Sequence, residues 1–198
     1  MKNKTKISYF INHANFFYSH RFPIAKKAVE KGYSVSLIVG QEGDKSNEDK
    51  IEKKILDERI KIYRSFFTAS GLNIFKELFG FFYSLITIMR IKPNIMHCAS
   101  PKGCLYGGLI SRIIGTKSLV LSISGMGYIF TEKKDNNYLR KVLRSIYVLF
   151  FRVVLNHKNM IVIVQNDNDK DFLQSQFNLK DSSIVQIKGS GVNLDLYK

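Results

Sequence analysis

Three groups of residues in this 198-residue chain have the types and spacing to do chemistry. The first is Ser124-Gly125-Met126-Gly127-Tyr128-Ile129-Phe130, which follows an apolar run, Lys117 to Ile123, that reads as a buried strand. Two glycines two apart at the end of such a strand let backbone N–H groups come close to a ligand. The same pair also fits an ordinary strand-to-helix turn that needs glycine for its shape. The second group is His13, His20 and Arg21, just past the first apolar run, Lys6 to Ile11. That position is the C-terminal edge of a first strand, where open α/β sheets bind ligands. Arg21 is placed to pair with an anionic group there, or else to serve as a surface charge. The third is Lys102, in a loop after the fourth strand at the same edge, a candidate phosphate or acceptor contact.

Several chemistries are disfavoured. Gly125-x-Gly127 has Phe130 where a dinucleotide fingerprint has its third glycine, and it does not follow the first strand, so NAD binding is not expected. No phosphate-binding Gly-x-x-x-x-Gly-Lys-Ser/Thr run occurs. The four histidines, His13, His20, His97 and His157, show no metal-ligand spacing, and no metal is expected. His97-Cys98 reads as a packing pair within a strand. Asp167 and Asp169 read as caps that compensate a helix dipole.

The elements that must position these residues follow from the hydrophobic pattern. Strands are expected at Lys6–Ile11, Tyr33–Val39, Arg59–Tyr63, Asn94–Cys98, Lys117–Ile123, Met160–Val164 and Ser183–Ile187. Helices are expected from Ser19 or His20 to Lys31, within Gln41–Lys54, and over Asn73–Ile91, Leu105–Ile114, Asn136–Asn156 and Asp167–Phe177. The helix at Asn73–Ile91 carries Phe75, Leu78, Phe79, Phe82, Leu85, Ile86 and Met89 on one wide apolar face. Asn12–Tyr18, Phe66–Gly71 and Ser100–Gly103 are expected to be loops or linkers. Alternation of strand and helix predicts an α/β fold: a doubly wound, Rossmann-like, mostly parallel sheet of about seven strands in one domain over residues 1–198.

Hydrophobic residues make up 45% of the chain, enough for a substantial core, and the formal net charge is +15, which points to anionic partners. The basic residues flank apolar segments, which favours a membrane surface or a phosphorylated ligand over a nucleic-acid groove. The basic first half of the Asn136–Asn156 helix, with Arg140, Lys141 and Arg144 preceded by Lys133 and Lys134, suits an anionic lipid surface. A long core helix with a solvated basic end is the competing reading. No apolar run approaches the roughly 18–20 residues that span a bilayer. The expected location is therefore cytoplasmic, peripheral at the inner face of the membrane. Cys98 and Cys104 are expected to remain separate thiols in a reducing compartment.

Several separated stretches carry a family resemblance: Phe16-Phe17-Tyr18-Ser19-His20-Arg21-x-Pro23, Gly32-Tyr33-x-Val35, His97-x-x-Ser100-Pro101-Lys102, Tyr106-Gly107-Gly108, the Ser124–Phe130 segment, Gln165-Asn166-x-x-Asp169 and Gly189-Ser190-Gly191-Val192-Asn193-Leu194. In that order they resemble the N-terminal half of family 4 retaining glycosyltransferases of bacterial surface-polysaccharide assembly, over nearly the whole chain. The resemblance implies one half of a GT-B fold, in which two Rossmann-like domains face a cleft. The N-terminal domain takes the acceptor, usually a sugar on a polyprenyl diphosphate, and the C-terminal domain binds the nucleotide sugar. Carried over, Asn15, His20 and Arg21 face the cleft from the first loop, Lys102 from the fourth, and Ser124, Gly125 and Gly127 from the fifth.

The sequence also departs from that family. The C-terminal domain, with its basic pair and its glutamates, is not among these residues. The first loop has no glycine, and Ser124-Gly125 stands where many relatives place a histidine, so no catalytic base is named. The resemblance thus implies the acceptor-binding half of a retaining hexosyl or N-acetylhexosaminyl transferase. It needs no cofactor beyond the nucleotide-sugar donor, is inactive or weakly active alone, and is partnered by a lipid-linked glycan acceptor, an anionic membrane surface and a donor-binding chain. The alternative is a non-catalytic module that recruits a separate catalytic chain to the membrane.

Overall fold

The computed structural model describes residues 4–41, 45–68, 73–125 and 138–189. Seven strands lie in one all-parallel sheet in the order β3-β2-β1-β4-β5-β6-β7. They are β1 (Lys6–Ile11), β2 (Ser34–Gln41), β3 (Lys61–Thr68), β4 (Ile95–Ala99), β5 (Ser118–Ile123), β6 (Met160–Val164) and β7 (Ile184–Gln186). The connecting helices are α1 (Ala14–His20), α2 (Phe22–Glu30), α3 (Lys45–Asp57), α4 (Ile74–Ile91), α5 (Pro101–Ile114), α6 (Tyr138–Leu155) and α7 (Asp167–Phe177). Strand order reverses between β1 and β4, the topological switch point at which open α/β sheets leave a crevice beyond their strand ends.

Strand alternation divides the core in two. On one face Tyr9, Ile11, Leu37, Val39 and Ala99 pack with Phe17 of α1, Ala25 of α2 and Ile55 of α3. On the other, Phe10, Ile38, Met96 and Leu121 pack with Ile88 of α4, Ile110 of α5 and Phe151 of α6. Residues i and i+1 of a strand point to opposite faces, so a strand such as Tyr9-Phe10-Ile11, buried throughout, feeds both layers. Each fully buried side chain of this size contributes about 1.5–3 kcal/mol relative to exposure.

The chain departs from the sequence expectation at several places: the one helix expected from Ser19 or His20 to Lys31 is two, α1 and α2, parted at Arg21, and α3 runs on to Asp57. Asn12–Tyr18 is not a loop, because α1 occupies Ala14–His20. The Nδ1 atom of His13 accepts the Phe16 N–H at 3.2 Å, which supplies the N-cap that a search for Ser, Thr, Asp or Asn overlooks. Ala14 and Phe17 then bury one side of a two-turn helix. β3 runs to Thr68 rather than ending at Tyr63, since pairing with β2 continues past a register shift to Gln41. Ser100–Gly103 is not a loop either: α5 begins at Pro101, with Ser100 capping Gly103 N–H and proline at the first helical position. The last strand is three residues, shorter than Ser183–Ile187.

Candidate active site

The C-terminal ends of β5, β6 and β7 and the junction between α1 and α2 enclose a small pocket of about 100 Å³. Its lining includes Arg21, His97, Ser122, Ile163, Gln165 and Gly189. Arg21 sits at the break between the two helices. Its N–H bonds the Phe17 carbonyl at 2.8 Å to end α1, and its own carbonyl accepts the Ala25 N–H at 3.0 Å to start α2. That break aims the Arg21 side chain inward, where it is only 7% exposed. Its Nη1 donates to the His20 carbonyl at 3.1 Å. Burial pulls the guanidinium below its ordinary pKa, yet arginine keeps its charge at physiological pH. None of the described residues lining the pocket is acidic.

His97 and Ser122 form the floor. They lie on adjacent strands, and Nε2 of His97 is 2.8 Å from Oγ of Ser122. The imidazole also packs against Tyr9, with ring centroids 5.0 Å apart. Burial, with the Arg21 charge adding to it, holds the His97 pKa down to about 3. His97 is therefore a neutral hydrogen-bonding group at physiological pH, not a cation. Cys98 and Cys104 are separate, buried thiols, and burial raises the Cys104 pKa to about 12, so neither is a ready nucleophile.

The residues picked out in the sequence distribute unevenly. Arg21 lines the pocket. Ser124 and Gly125 directly follow Ile123, which also lines it, and Gly125 adopts φ +118°, a conformation that glycine alone takes readily. Asn15 is partly buried in α1, with its carbonyl accepting the Ser19 hydroxyl at 2.9 Å. His20 is also partly buried, stacked on Phe16 at 4.5 Å, with Nδ1 2.6 Å from the Ser19 hydroxyl. His13 serves as the α1 cap. Lys102 stands in the first turn of α5 and pairs with Glu77 of α4 at 3.1 Å. Gly127, Lys133 and Lys134 lie outside the described residues, as does the Arg140 side chain, whereas Lys141 and Arg144 are exposed on α6. Asp167 and Asp169 lie in the first turn of α7, as read, and Asn166 is its N-cap: Oδ1 of Asn166 accepts the Asp169 N–H at 2.8 Å, and its Nδ2 donates to Oδ2 of Asp169 at 3.0 Å.

Ser122 and Gln165 also line the pocket without having been singled out as site residues, Gln165 entering only through the family resemblance, and His97, read as a packing residue, packs on Tyr9 and lines the pocket as well. The signal for Ser122 was a hydroxyl inside the apolar run Leu119–Ile123. A polar side chain in a buried strand needs a partner, and here that partner is His97. The edge holds one further marker. Ser100, a non-glycine residue directly after β4, sits at φ +71°, a strained geometry of the kind that clusters at functional sites. Among the described residues no cluster of metal-ligating side chains occurs, and no helix is long and apolar enough to cross a membrane.

Solved structures share this architecture. The chain superimposes on a glycosyltransferase from Rickettsia africae with a TM-score of 0.55 at 20% identity, covering 98% of this chain and 45% of that one. MurG of Acinetobacter baumannii gives 0.55 at 16% identity, covering 96% and 46%. A putative UDP-N-acetylglucosamine 2-epimerase from Listeria monocytogenes gives 0.62 at 12% identity, covering 93% and 45%. These likenesses establish a Rossmann-like fold matching one half of GT-B proteins, and the chain spans less than half the length of each. A comparison with curated proteins gives no match. The model of the "Glycosyl transferase 4-like" family matches residues 6–166, a stretch that runs from β1 past the end of β6 and contains Arg21, His97, Ser122 and Gln165. On that match the chain belongs to the glycosyl transferase 4-like family.

Proposed function

We propose that this domain is the acceptor-side wall of a retaining glycosyltransferase cleft in surface-polysaccharide synthesis. In this reading the acceptor is a lipid-linked glycan on a polyprenyl diphosphate, presented at an anionic membrane surface. A second domain, in the same polypeptide or in a partner chain, grips the nucleotide sugar. The observation that carries the reading is a buried arginine in a pocket whose described lining has no carboxylate, at the edge where the sheet reverses its order.

The chemistry follows from the groups present. A buried guanidinium is costly to desolvate, and an incoming phosphate or carboxylate offsets that cost through charge-assisted hydrogen bonds. Arg21 would hold such an anionic group. The Ser122 hydroxyl and the Gln165 amide would receive sugar hydroxyls, and the backbone at Gly125 could approach the ligand closely. His97 would orient Ser122 through their shared hydrogen bond and not act as a cationic acid. Stabilisation of the leaving diphosphate, a large contribution in such transfers, would fall to the second domain.

The test is sugar transfer from a panel of nucleotide sugars to lipid-linked acceptors, by the 198-residue chain alone and with a supplied donor-binding domain. Transfer should be weak alone and rise on addition. Arg21→Gln should lower the restored rate by about ten- to hundredfold, the loss of one charge-assisted contact. Robust turnover by the chain alone would refute the division of labour.

A further inference from the structure

The helix α4 is apolar on its outer face as well as toward the core. Its residues buried against β3 and α5 are small or polar: Gly80, Ser84, Thr87 and Glu77, with Ile88. Gly80 is required there, because a Cβ at that position would lie 2.5 Å from the Phe67 backbone nitrogen. The Ser65 hydroxyl reaches both the Gly80 carbonyl, at 2.9 Å, and the Ser84 hydroxyl, at 2.8 Å, from β3. Phe81, Leu85 and Ile91 pack at the margin of the core, and the remaining large apolar side chains face outward. Phe75 is 80% exposed, Phe79 59% and Phe82 56%, and Leu78, Ile86 and Met89 continue the stripe at helical spacing. A soluble helix turns this stripe toward the core, and an exposed apolar patch of this extent marks an interaction site.

Charge identifies the partner. The neighbouring helices α5 and α6 expose Ile113, Ile146, Leu149 and Val153, together with Lys141, Arg144 and Arg152. The only acidic residue in α4, α5 and α6 is Glu77, and it is buried, accepting hydrogen bonds from Lys102 at 3.1 Å and the Tyr106 hydroxyl at 2.9 Å. Aromatic and aliphatic residues among basic side chains, with no exposed carboxylate, complement an anionic lipid surface. At 18 residues α4 is about 27 Å long and can lie in the plane of such a surface.

We propose that α4, flanked by α5 and α6, is a membrane-docking face that sinks its aromatic stripe into an anionic phospholipid leaflet. The Glu77–Lys102 pair holds the Phe75–Phe79 end of α4 beside the start of α5, directly after β4, at the same sheet edge as the Arg21 pocket. Docking would therefore bring the pocket's edge close to the leaflet. The inference rests on the membrane-surface part of the proposed function, but not on sugar transfer.

The chain contains no tryptophan, so single substitutions give site-specific reporters. Phe75→Trp and Phe82→Trp report from α4, and Leu56→Trp reports from an exposed position on α3, on the other face. On adding vesicles of phosphatidylcholine with phosphatidylglycerol, the α4 reporters should shift to the blue and be quenched by bromine-labelled acyl chains. The α3 reporter should do neither. In flotation, the triple variant Phe75→Ser, Phe79→Ser, Phe82→Ser should bind these vesicles roughly a hundredfold more weakly. Lys141→Gln with Arg144→Gln should weaken binding by about 30-fold. If wild type floats but the α4 reporters stay unshifted, the α4 assignment fails while the membrane-surface reading stands. If wild type does not float, both fail, with sugar transfer still separately testable. If the α4 reporters are already blue-shifted without lipid and the mass in solution is doubled, the face is covered by a second copy of the chain and the proposal is overturned.

Discussion

The helices α3 and α4 flank the same edge strand, β3, on opposite faces of the sheet, and they obey opposite rules. α3 turns Ile55 inward and shows water Asp49, Lys50, Lys53, Lys54 and Asp57. Its outer charges pair with the strand beside it: Arg64 of β3 reaches Asp49 at 2.7 Å and Glu52 at 2.9 Å. α4 buries glycine, serine and threonine and shows phenylalanine. The contrast teaches that the two faces of one sheet can be finished for two environments. Close packing of small residues, with Ile88 in the core and Phe81, Leu85 and Ile91 at its margin, holds α4 to the sheet and leaves the outer aromatic stripe available for a partner. On α3, Ile55 and, in part, Ile51 are taken up by the core, and the exposed Leu56 forms no stripe.

The sharpest way to break this comparison is to make the same kind of truncation on both faces. Phe17→Ala, in the core beneath α1, should cost about 3–5 kcal/mol by denaturant unfolding, because the side chain is fully buried. A smaller loss would mean that the layer under α1 to α3 is not the better-packed one. The pH dependence is the next largest effect and isolates the pocket. In the folded chain the His97 pKa is depressed from 6.5 to about 3, so below pH 6.5 the unfolded chain takes up a proton that the folded chain refuses. Stability contributed by the neutral imidazole is thus complete above pH 6.5 and declines as pH falls toward 3. The decline should be up to about 1.4 kcal/mol per pH unit. His97→Asn should remove that part of the slope, seen as a difference between the two unfolding–pH profiles.

Gly80→Ala tests whether α4 is held by close approach. A methyl group 2.5 Å from backbone must push the helix off β3, and a loss of about 1–3 kcal/mol is expected despite the better helix propensity of alanine. A gain in melting temperature would show that the contact can relax freely. The smallest effect is expected at the stripe itself. Phe75→Ser should change the stability of the lipid-free protein by no more than about 0.5 kcal/mol, since the ring is already in water. A large loss would mean that the ring packs within the fold.

The comparison also explains what could be read in advance. The seven apolar runs and their spacing were legible because parallel strands buried on both faces must be continuously apolar. The Arg21 position was legible because residues following β1 must lie at the strand ends. α1 was not, since its cap is a histidine ring and its length only seven residues. Lys102 was visible as a basic residue at the right edge, but its pairing with Glu77, 25 positions earlier, depends on α4 and α5 meeting in space.

The chain by itself determined the order of strands and helices, the sheet edge at which the candidate residues fall, and the excess of positive charge. These are set by local periodicity and composition. Only the folded arrangement decided that Arg21, His97, Ser122 and Gln165 share one pocket, because strand order, not sequence distance, makes them neighbours. Only it decided which way α4 faces. A stripe of phenylalanines reads the same whether it meets a core or a solvent, and the choice was made by the small residues on the opposite side, which fit against β3 where the large ones cannot.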